Sequence, residues 1–568
     1  MTKTAALLVL LGECLAAGSL SGQGLDPALL TKPATDAWPT YAGDYSQRRF
    51  STLTQIDTSN VHNLSLAWVR RLTPGAGGGD FNWWGAPPGP PAIVGGVAAE
   101  PVNMPGSTSG LPRLSGSVLQ VNGILYVTAP DNVWALDARD GHILWHYFWK
   151  SRGGTHIGNR GAAMYGEWLF FETPDDYLVS LDAKTGAERW HKEIADFDQQ
   201  YFSTMAPVVV GNHVLVGTGD DLDSPGFLQS FDPSTGDLQW KFYTVPMEKG
   251  DPALATWGTL DAARHGGAQV WMPGSYDPET QLYIFGTGNP TPAYTGALRA
   301  PRDAHTNLYT GSIVAVNVNT GKLAWYYQVA PNDTHDWDAT QAPVLVDGTF
   351  AGKPRKLVLQ ASRNGYFFVV DRTTGEHLLT AKYSDAANWA AGINVKGQPV
   401  RNPAKENTVA GALVSPDNGG ATNWPPPAFD PPNGLLYVPL HEIYAMYYLT
   451  NTDPRMLVGL GGSEQDYVGG SGSSLAAIDY QTGKLAWKYR LGMGFGGSGL
   501  LTTAGGLLFA NDGSGSLVAL KLQGRTPPVP LWHAQIGAVD NAAQTYLLDG
   551  RQYVLVSGDG AVWAFSLQ

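Results

Sequence analysis

The sequence has 568 residues, 43% hydrophobic and 15% charged, a composition that excludes a wholly disordered chain. The formal net charge is −13, which argues against binding nucleic acid through its phosphates. The single cysteine, Cys14, excludes within this sequence an intramolecular disulfide, a Cys-x-x-Cys-His haem attachment and a zinc or iron–sulfur site built from cysteines. Many turn formers (70 Gly, 39 Pro) and 11% aromatic residues favour an all-β architecture.

The N-terminus predicts a secretory signal peptide over residues 1–24. A short basic start is followed by an apolar run, residues 5–11, and by small residues from Ala16 to Gly18. This run is far shorter than the roughly 20 residues of a membrane span, and Glu13 before Cys14 does not suit a lipid anchor. A disordered apolar tail is the alternative. We expect residues 25–568 to form one exported domain.

One pattern recurs along this domain: a hydrophobic residue and Asp or Asn, a short turn ending in Gly, and Trp four residues after the Gly. The complete copies end in Trp145, Trp190, Trp240, Trp325 and Trp487, a degenerate copy ends in Leu379, and two less regular endings are Trp68 and Trp532. Asp and Gly supply turn chemistry, and the preceding segments alternate as strands do. Repeats of this kind bury their faces only by stacking on neighbours. About eight units predict an eight-bladed β-propeller.

The C-terminal strand around Trp563 is predicted to complete a sheet begun near the N-terminus, which would close the ring. The spacing of the repeats is uneven. The Gly/Pro-rich insert at 73–112, which contains Trp83 and Trp84, and the long intervals 240–325 and 379–487 predict long loops. Long loops in a compact domain usually carry function.

The tryptophan repeat resembles the tryptophan-docking motif of the pyrroloquinoline-quinone-dependent (quinoprotein) alcohol dehydrogenases. Four further segments match that family in the right order over nearly the whole mature chain. They are the opening from Trp38 to Trp68, FGTGNP at 285–290, NDTHDWD at 332–338 and SRNG at 362–365. The resemblance implies an eight-bladed propeller that holds pyrroloquinoline quinone (PQQ) and calcium and oxidises an alcohol.

The resemblance implies calcium ligands at Asp221, Asn289 and Asp338, with Asp220 and Asp223 as rivals of Asp221. Oxygen ligands of this kind suit calcium. The resemblance also implies that Asp338 is the general base that takes the proton of the alcohol. Asp336 is an alternative two residues away that could instead brace the loop. Thr340 stands where lanthanide-type relatives carry Asp, which favours calcium.

The quinone is a planar tricarboxylate and needs cations at its edge and flat apolar groups on its faces. The resemblance places Arg363 near the reactive carbonyl, Trp271 as the stacking floor and the other contacts around them. Those contacts are Arg160, Thr204, Thr218, Gly219, Gln269, Asn423 and Trp424. Most tryptophans are explained by packing of the repeats, but Trp271 lies outside the turn-plus-four register.

Several positions depart from the family pattern. Gly154 and Thr155 replace its vicinal disulfide, so we expect His156 to cover the upper face of the cofactor. Ser115 replaces a glutamate, and Phe495 stands where the seventh blade usually has Trp. These changes bear on electron transfer and substrate range more than on the calcium, base and arginine positions.

The expected electron acceptor is a separate protein such as a soluble cytochrome c, and the expected location is periplasmic or secreted. We expect no nucleic acid and no membrane span. Two alternatives stay open: a non-catalytic eight-bladed propeller that serves as a scaffold, and a PQQ dehydrogenase that acts on sugars or polymeric alcohols. Neither a Gly-x-Gly-x-x-Gly at a strand-to-helix junction nor a nucleophile elbow is present in the sequence.

Overall fold

The computed structural model describes residues 24–76, 89–99, 111–299, 305–456, 459–492 and 498–568. The described residues are mainly β-strands, which confirms the all-β prediction. The predicted signal peptide except Gly24, the Trp83 and Trp84 pair, and Phe495 lie outside the described residues. No helix in the described ranges is both long enough and apolar enough to cross a membrane.

The strands form eight sheets of four or five strands within the described residues, numbered here in chain order of their main hairpins. Sheet 1 contains Ile93–Gly96, Ile143–Lys150, Asn132–Asp137, Ile124–Ala129 and Leu119–Val121. Sheet 2 contains Glu188–Glu193, Tyr177–Asp182, Trp168–Glu172 and Ala163–Tyr165. Sheet 3 contains Val208–Val210, His213–Val216, Phe227–Phe231 and Leu238–Tyr243. Sheet 4 contains Ser275–Asp277, Leu282–Gly286, Ser312–Asn317 and Leu323–Gln328.

The other four sheets are also mainly antiparallel, except that Phe50–Ser51 pairs in parallel with Leu501–Thr503. Sheet 5 contains Val344–Phe350, Lys353–Ala361, Tyr366–Asp371 and His377–Lys382. Sheet 6 contains Ala412–Val414, Leu435–Leu449, Ser463–Asp479 and Leu485–Arg490, with Ala428–Asp430 paired to its second strand. Sheet 7 contains Phe50–Ser51, Leu501–Thr503, Leu507–Asn511, Ser516–Gln523 and Thr526–Gln535. Sheet 8 contains Leu64–Arg71, Ala561–Leu567, Arg551–Gly558 and Gln544–Leu548.

Smaller elements connect the sheets. A two-stranded ribbon contains Ala390–Ile393 and Pro399–Arg401, and one short α-helix spans Leu260–Arg264. The 3₁₀ turns are Pro27–Thr31, Val61–Asn63, Phe197–Gln199, Pro252–Thr256 and Pro403–Lys405. The interval 379–487 therefore contains this ribbon and the two longest strands, and the expectation that it consists of long loops is wrong there. Ile93–Gly96 is likewise a strand inside the 73–112 insert.

Each repeat ending packs on the turn of the following sheet. The indole N–H of Trp145 donates to Ala183 O at 3.1 Å, and Trp325 donates in the same way to Arg372 O at 3.0 Å. The turn glycines lie against these rings, and a methyl group on Gly186 would come within 2.7 Å of Trp145. Gly is needed at these turns because φ is positive there as well.

The same contact links all eight sheets in series. Trp68 of sheet 8 lies against Gly141 of sheet 1, and Trp532 of sheet 7 donates to Leu64 O of sheet 8 at 2.8 Å. The contacts between them are Trp145 with Gly186, Trp190 with Gly236, Trp240 with Gly321, Trp325 with Gly375, Leu379 with Gly483 and Trp487 with Gly524. The predicted pairing of the C-terminal strand is confirmed, since Ala561–Leu567 pairs with Leu64–Arg71.

A short N-terminal stretch, residues 25–51, touches every sheet by hydrogen bonds. Its contacts are Leu25 with Gly166 O, Trp38 with Gln120, Asp36 with Leu547, Tyr45 with Val209 O and Tyr276, Ser46 with Leu345, Arg48 with Phe429 and Arg49 with Thr502. Arg49 is buried and its guanidinium donates to three carbonyl oxygens, those of Tyr41, Leu500 and Ala543. The segment therefore connects all eight sheets of the described residues.

Candidate active site

A cavity of about 250 Å³ opens on the face of the molecule where the second strands of sheets 3, 4 and 5 end. Eight predicted or rival site residues line it together: Arg160, Thr204, Asp220, Asp221, Trp271, Arg363, Asn423 and Trp424. Arg113, Ser115, Ile157 and Gly158 complete its lining. Residues far apart in the chain thus meet at one place, because their loops leave the same edge of neighbouring sheets.

Asp338 is fully buried at the side of this cavity and holds three groups at once. Its Oδ2 accepts the indole N–H of Trp271 at 3.1 Å and lies 2.8 Å from an Arg363 nitrogen. Its Oδ1 accepts the backbone N–H of Asn289 at 2.6 Å. The carboxylate therefore joins the aromatic residue, the arginine and the asparagine loop that the sequence predicted as site residues.

Arg363 is held in place from several directions. Its guanidinium donates to Asp336 O at 2.8 Å and to Asn423 Oδ1 at 3.4 Å, and its backbone N–H donates to Gln341 Oε1 at 3.1 Å. Burial lowers the pKa of Arg363, but the carboxylates of Asp338, Asp336, Asp220 and Asp221 raise it more, so the net shift is upward. Arg363 stays charged and fixed beside the carboxylate of Asp338.

Four carboxylates surround this one guanidinium. Burial raises the pKa of Asp220 well above its usual range, and Asp338 and Asp221 raise it further. Burial, together with the charge of Asp338, raises the pKa of Asp221 to about 7. Burial and Asp221 likewise raise the pKa of Asp336. Burial and like charge thus both oppose ionisation of Asp220, Asp221 and Asp336, so the cluster favours a bound cation.

The structure narrows the choice among Asp220, Asp221 and Asp223 for the predicted acidic metal ligand. Asp223 forms an ion pair with Arg455 at 2.7 Å and a second contact with His265 at 3.3 Å, away from the cluster. Asp220 and Asp221 both line the cavity and each has a buried Oδ1 without a hydrogen-bond partner. A methyl group on Gly288 would lie 2.5 Å from Asp220 Oδ1 and 3.3 Å from Asp338 Oδ1, so a glycine is required for this close approach.

Asn289 and Asp338 are positioned by a buried arginine behind them. Arg299 is fully buried and donates to Pro292 O at 2.9 Å, to Asn307 Oδ1 at 2.9 Å and to Asn332 Oδ1 at 2.7 Å. It thus ties the loop after Asn289 to the loop before Asp338. The side-chain oxygen of Asn289 is itself buried without a hydrogen-bond partner.

Trp271 forms the aromatic side of the cavity. The guanidinium carbon of Arg160 lies 4.5 Å from the centroid of its ring and that of Arg363 lies 5.7 Å away. Arg160 also lies 5.8 Å from Trp424 and donates to Thr204 O at 3.2 Å. Burial lowers the pKa of Arg160 to about 10. Cations over an aromatic face form a suitable seat for a flat anion.

Three predicted contacts support the site without lining the cavity. Gln269 donates to Leu222 O at 3.3 Å and to Ser224 O at 2.8 Å, so it braces the loop that carries Asp221. Gly219 packs against Phe202, and its N–H donates to the Phe202 carbonyl. Thr218 is fully buried, with a hydroxyl that lacks a partner.

His156 does not cover the cavity, so that expectation is wrong. Its Nε2 lies 2.8 Å from Asp131 Oδ2 and its Nδ1 lies 3.0 Å from Gly154 O. These contacts hold the imidazole ring against its own loop. The next residue, Ile157, lines the cavity and is 56% exposed. The strong pairing of His156 with a buried carboxylate outweighs any contact with the open cavity.

Sequence reasoning missed Arg113, Ile157 and Gln341. No motif or spacing marks these positions, since each acts only through its place in the folded loops. Asp336 was considered as an alternative to Asp338 or as a brace of the loop, and Arg363 does contact its backbone and carboxylate. The structure places this carboxylate within the acidic cluster as well.

The residues fit a hard cation next to a flat anion. Unpartnered buried oxygens of Asp220, Asp221 and Asn289 are available to a cation, and unpartnered Nε atoms of Arg160 and Arg363 are available to an anion. Within the described ranges, no three His, Cys, Asp or Glu side chains form a metal site by themselves. A cation here therefore needs the amide oxygen of Asn289 beside the carboxylates.

Comparison with known proteins agrees with this geometry. The family model described as PQQ, glucose/ethanol/alcohol dehydrogenase, beta-propeller domain, matches residues 38–391. A model described as outer membrane protein assembly factor BamB matches residues 449–568. The quinohemoprotein alcohol dehydrogenase ADH IIB of Pseudomonas putida is 34% identical over 592 aligned positions, covering 99% of this chain and 79% of that protein.

Two solved structures are similar over nearly the whole chain. The quinohemoprotein alcohol dehydrogenase from Comamonas testosteroni has a TM-score of 0.80 at 28% identity, covering 96% of this chain and 82% of that one. A europium-containing methanol dehydrogenase has a TM-score of 0.77 at 25% identity, covering 95% and 99%. The chain therefore belongs to the family of PQQ-dependent quinoprotein alcohol dehydrogenases.

Proposed function

We propose that this protein oxidises an alcohol to an aldehyde or ketone with PQQ as the electron acceptor and calcium as the resident metal. One observation carries the proposal: the buried carboxylate of Asp338 contacts Trp271, Arg363 and the Asn289 loop at the side of one cavity. A scaffold needs no such convergence of charge in its interior.

PQQ would lie against Trp271, with Arg160 and Arg363 at its carboxylate and carbonyl oxygens. Bound PQQ supplies an electrophilic quinone that accepts two electrons and a hydrogen from the carbinol carbon of the alcohol. Thr204, Asn423 and Trp424 line the same cavity and would complete the contacts. Thr218, Gly219 and Gln269 would act through the loops that they hold.

Calcium would be held by Asp338, Asn289 and either Asp221 or Asp220. A bound cation polarises an oxygen ligand as a Lewis acid and keeps its own carboxylate ligands ionised. Thr340 is buried and carries no charge, in keeping with a calcium rather than a lanthanide site. Because the cluster contains four carboxylates, the activity with calcium should be compared with the activity with a lanthanide.

Asp338 would act as the general base and Arg363 as its electrostatic partner. The carboxylate accepts the hydroxyl proton of the alcohol, and the guanidinium of Arg363 lies 2.8 Å from its Oδ2 and fixes its position. The enclosed position of Asp338 excludes bulk water from this oxygen. Proton acceptance at Asp338 and hydride loss from carbon together complete the two-electron oxidation.

We further propose that residues 25–568 form one eight-bladed ring that contains the insert at 73–112, and that residues 1–24 direct export to the periplasm. The series of tryptophan contacts from sheet 1 through sheet 8 and back supports the ring. Electrons would pass to an external acceptor such as a soluble cytochrome c. The acidic net charge suits a basic partner of this kind.

The alternative is a non-catalytic scaffold, which the BamB match over residues 449–568 favours. The deciding experiment reconstitutes the metal-free protein with PQQ plus calcium or lanthanum and follows dye reduction. The substrates are short primary and secondary alcohols, sugars and poly(vinyl alcohol). We expect quinone binding and dye reduction with at least one short alcohol in calcium. Absence of both quinone binding and dye reduction with every substrate and metal would favour the scaffold.

A further inference from the structure

Arg113 differs from Arg363, the paired arginine of the cavity, because Arg113 forms no ion pair within the described residues. It lines the mouth beside Ser115, Ile157 and Gly158 and is exposed. It forms neither a hydrogen bond nor an ion pair within 4.0 Å with any residue that the structure describes. Arg363, in contrast, has a carboxylate at 2.8 Å.

Arg113 has two charged neighbours, Arg160 and Asp540, and forms an ion pair with neither. Burial lowers the pKa of Arg160 and the charge of Arg113 adds to this lowering, so the two guanidinium groups repel each other. Burial raises the pKa of Asp540 to about 6 and the charge of Arg113 opposes the rise, yet Asp540 forms no ion pair with Arg113 and accepts the backbone N–H of Leu114. Arg113 is therefore not a structural residue that pairs with Asp540.

Arg160, the second arginine beside Arg113, also forms no ion pair within the described residues. Arg160 donates to the neutral carbonyl of Thr204, stacks on Trp271 and leaves its buried Nε without a partner. Asp220 acts on Arg160 through its charge, but among the described residues no carboxylate forms an ion pair within 4.0 Å with Arg113 or Arg160. Two guanidinium groups without an ion pair thus line the cavity, an arrangement that attracts a carboxylate of a ligand.

We propose that Arg113 is a carboxylate-binding residue at the mouth of the cavity, acting with Arg160 on the ligand that enters between them. The inference rests on the proposed function, because the ligand is either PQQ, which carries three carboxylates, or an alcohol substrate that bears a carboxylate. Ile157 beside Arg113 adds an apolar contact for the body of either molecule.

The test uses the full protein and the Arg113→Gln and Arg113→Lys variants. Arg139→Gln is the matched control, because Arg139 is also exposed but pairs with Asp549 on a repeat turn. Quenching of tryptophan fluorescence gives the dissociation constant of PQQ in calcium buffer. Dye reduction by the reconstituted protein gives kcat/KM for 6-hydroxyhexanoate and for 1-hexanol.

Loss of about tenfold in PQQ affinity in Arg113→Gln, with partial recovery in Arg113→Lys and no change in Arg139→Gln, assigns the carboxylate to the cofactor. Unchanged PQQ affinity with about a tenfold loss in preference for 6-hydroxyhexanoate over 1-hexanol assigns it to the substrate. If neither quantity changes, the inference about Arg113 is overturned while the proposed function stands. If the unmodified protein binds no PQQ, the proposed function fails and the inference fails with it.

Discussion

The carboxylates on the two faces of this molecule differ in their hydrogen bonding. On the face of the repeat turns, Oδ1 of Asp182 accepts the N–H groups of Lys184 and Thr185 and the Thr185 hydroxyl, so this oxygen is satisfied within its own turn. On the cavity face, Asp220 and Asp221 line the cavity and each has a buried carboxylate oxygen without a hydrogen-bond partner. The turn face is built for stability, whereas the cavity face keeps hydrogen-bonding capacity for a ligand.

The largest expected effect comes from removing the negative charge at the centre of the cavity face. Asp338→Asn should lower kcat about 10²–10⁴-fold, because the general base is lost while the shape of the side chain is kept. The variant should fold normally, since it also removes repulsion from Asp220. Steady-state dye reduction and circular dichroism measure the two properties. A variant that retains more than half of the activity would exclude Asp338 as the base.

The opposite result is expected on the turn face. Trp325→Ala should destabilise the protein by about 3–5 kcal/mol, because a buried indole that packs on Gly375 leaves a cavity. The turnover rate of the molecules that remain folded should not change. Urea unfolding and active-site titration with PQQ separate these quantities, with the exposed Lys322→Ala as control. A lower kcat per bound PQQ would mean that the two faces are not independent.

Gly288→Ala tests the close approach of the carboxylates. Its methyl group would lie 2.5 Å from Asp220 Oδ1, so that side chain must move and the affinity for calcium should fall about tenfold. Stability without metal should change little, since the displaced group is a side chain at a cavity. Gly250→Ala is the control, because a methyl group there meets nothing within 4 Å. Calcium binding is measured by isothermal titration calorimetry, and equal affinities in the two variants would contradict the arrangement.

The acidic cluster also predicts a pH dependence. Burial raises the pKa of Asp221 from 3.8 to about 7, so the folded metal-free protein binds a proton that the unfolded chain has released. The stability linked to this proton is complete below the unfolded pKa and is lost as the pH rises towards the folded value. We expect the Tm without metal to fall by about 2–4 °C from about pH 5 to about pH 7.5.

Calcium should cancel this fall, because the cation replaces the proton among the carboxylates. Asp221→Asn should show a smaller fall, because the raised pKa values of Asp220 and Asp336 remain, and a smaller response to calcium. Differential scanning calorimetry in buffers with chelator or calcium provides the comparison. A metal-free Tm that rises over the same interval would show that another group controls the stability.

The smallest effect is expected for an exposed ion pair on the turn face. Arg139→Gln removes the contact with Asp549 at 2.7 Å and should change stability by less than about 0.5 kcal/mol. The activity should not change at all. Urea unfolding detects a larger effect, which would mean that the surface charges of the turns contribute more than their exposure indicates.

The sequence alone predicted the regular part of the fold well, because turn chemistry and tryptophan spacing are local signals. The predicted endings such as Trp145 and Trp240 do pack on the following turn. Leu435–Leu449 and Ser463–Asp479 were not foreseen as long strands, since Gly469, Gly470 and Gly472 interrupt the second one and suggest a loop. The path of residues 25–51 through the middle of the sheets has no periodicity that could predict it.

The candidate site was predictable only through its resemblance to a known family. The segments around Asn289, Asp338 and Arg363 carry recognisable motifs, and the structure brings them together. Arg113 and Ile157 carry no motif, because their position depends on how two loops meet in space. His156 was misplaced since nothing in the sequence indicates its pairing with Asp131.

The most direct measurement is a crystal structure of the protein grown with PQQ and calcium. We expect a cation about 2.3–2.6 Å from oxygens of Asp338, Asn289 and Asp221 or Asp220. We also expect the flat quinone against Trp271, between that ring and the cavity mouth. Density for a cation at another place, or a cavity that holds water alone at saturating PQQ, would contradict the proposed site.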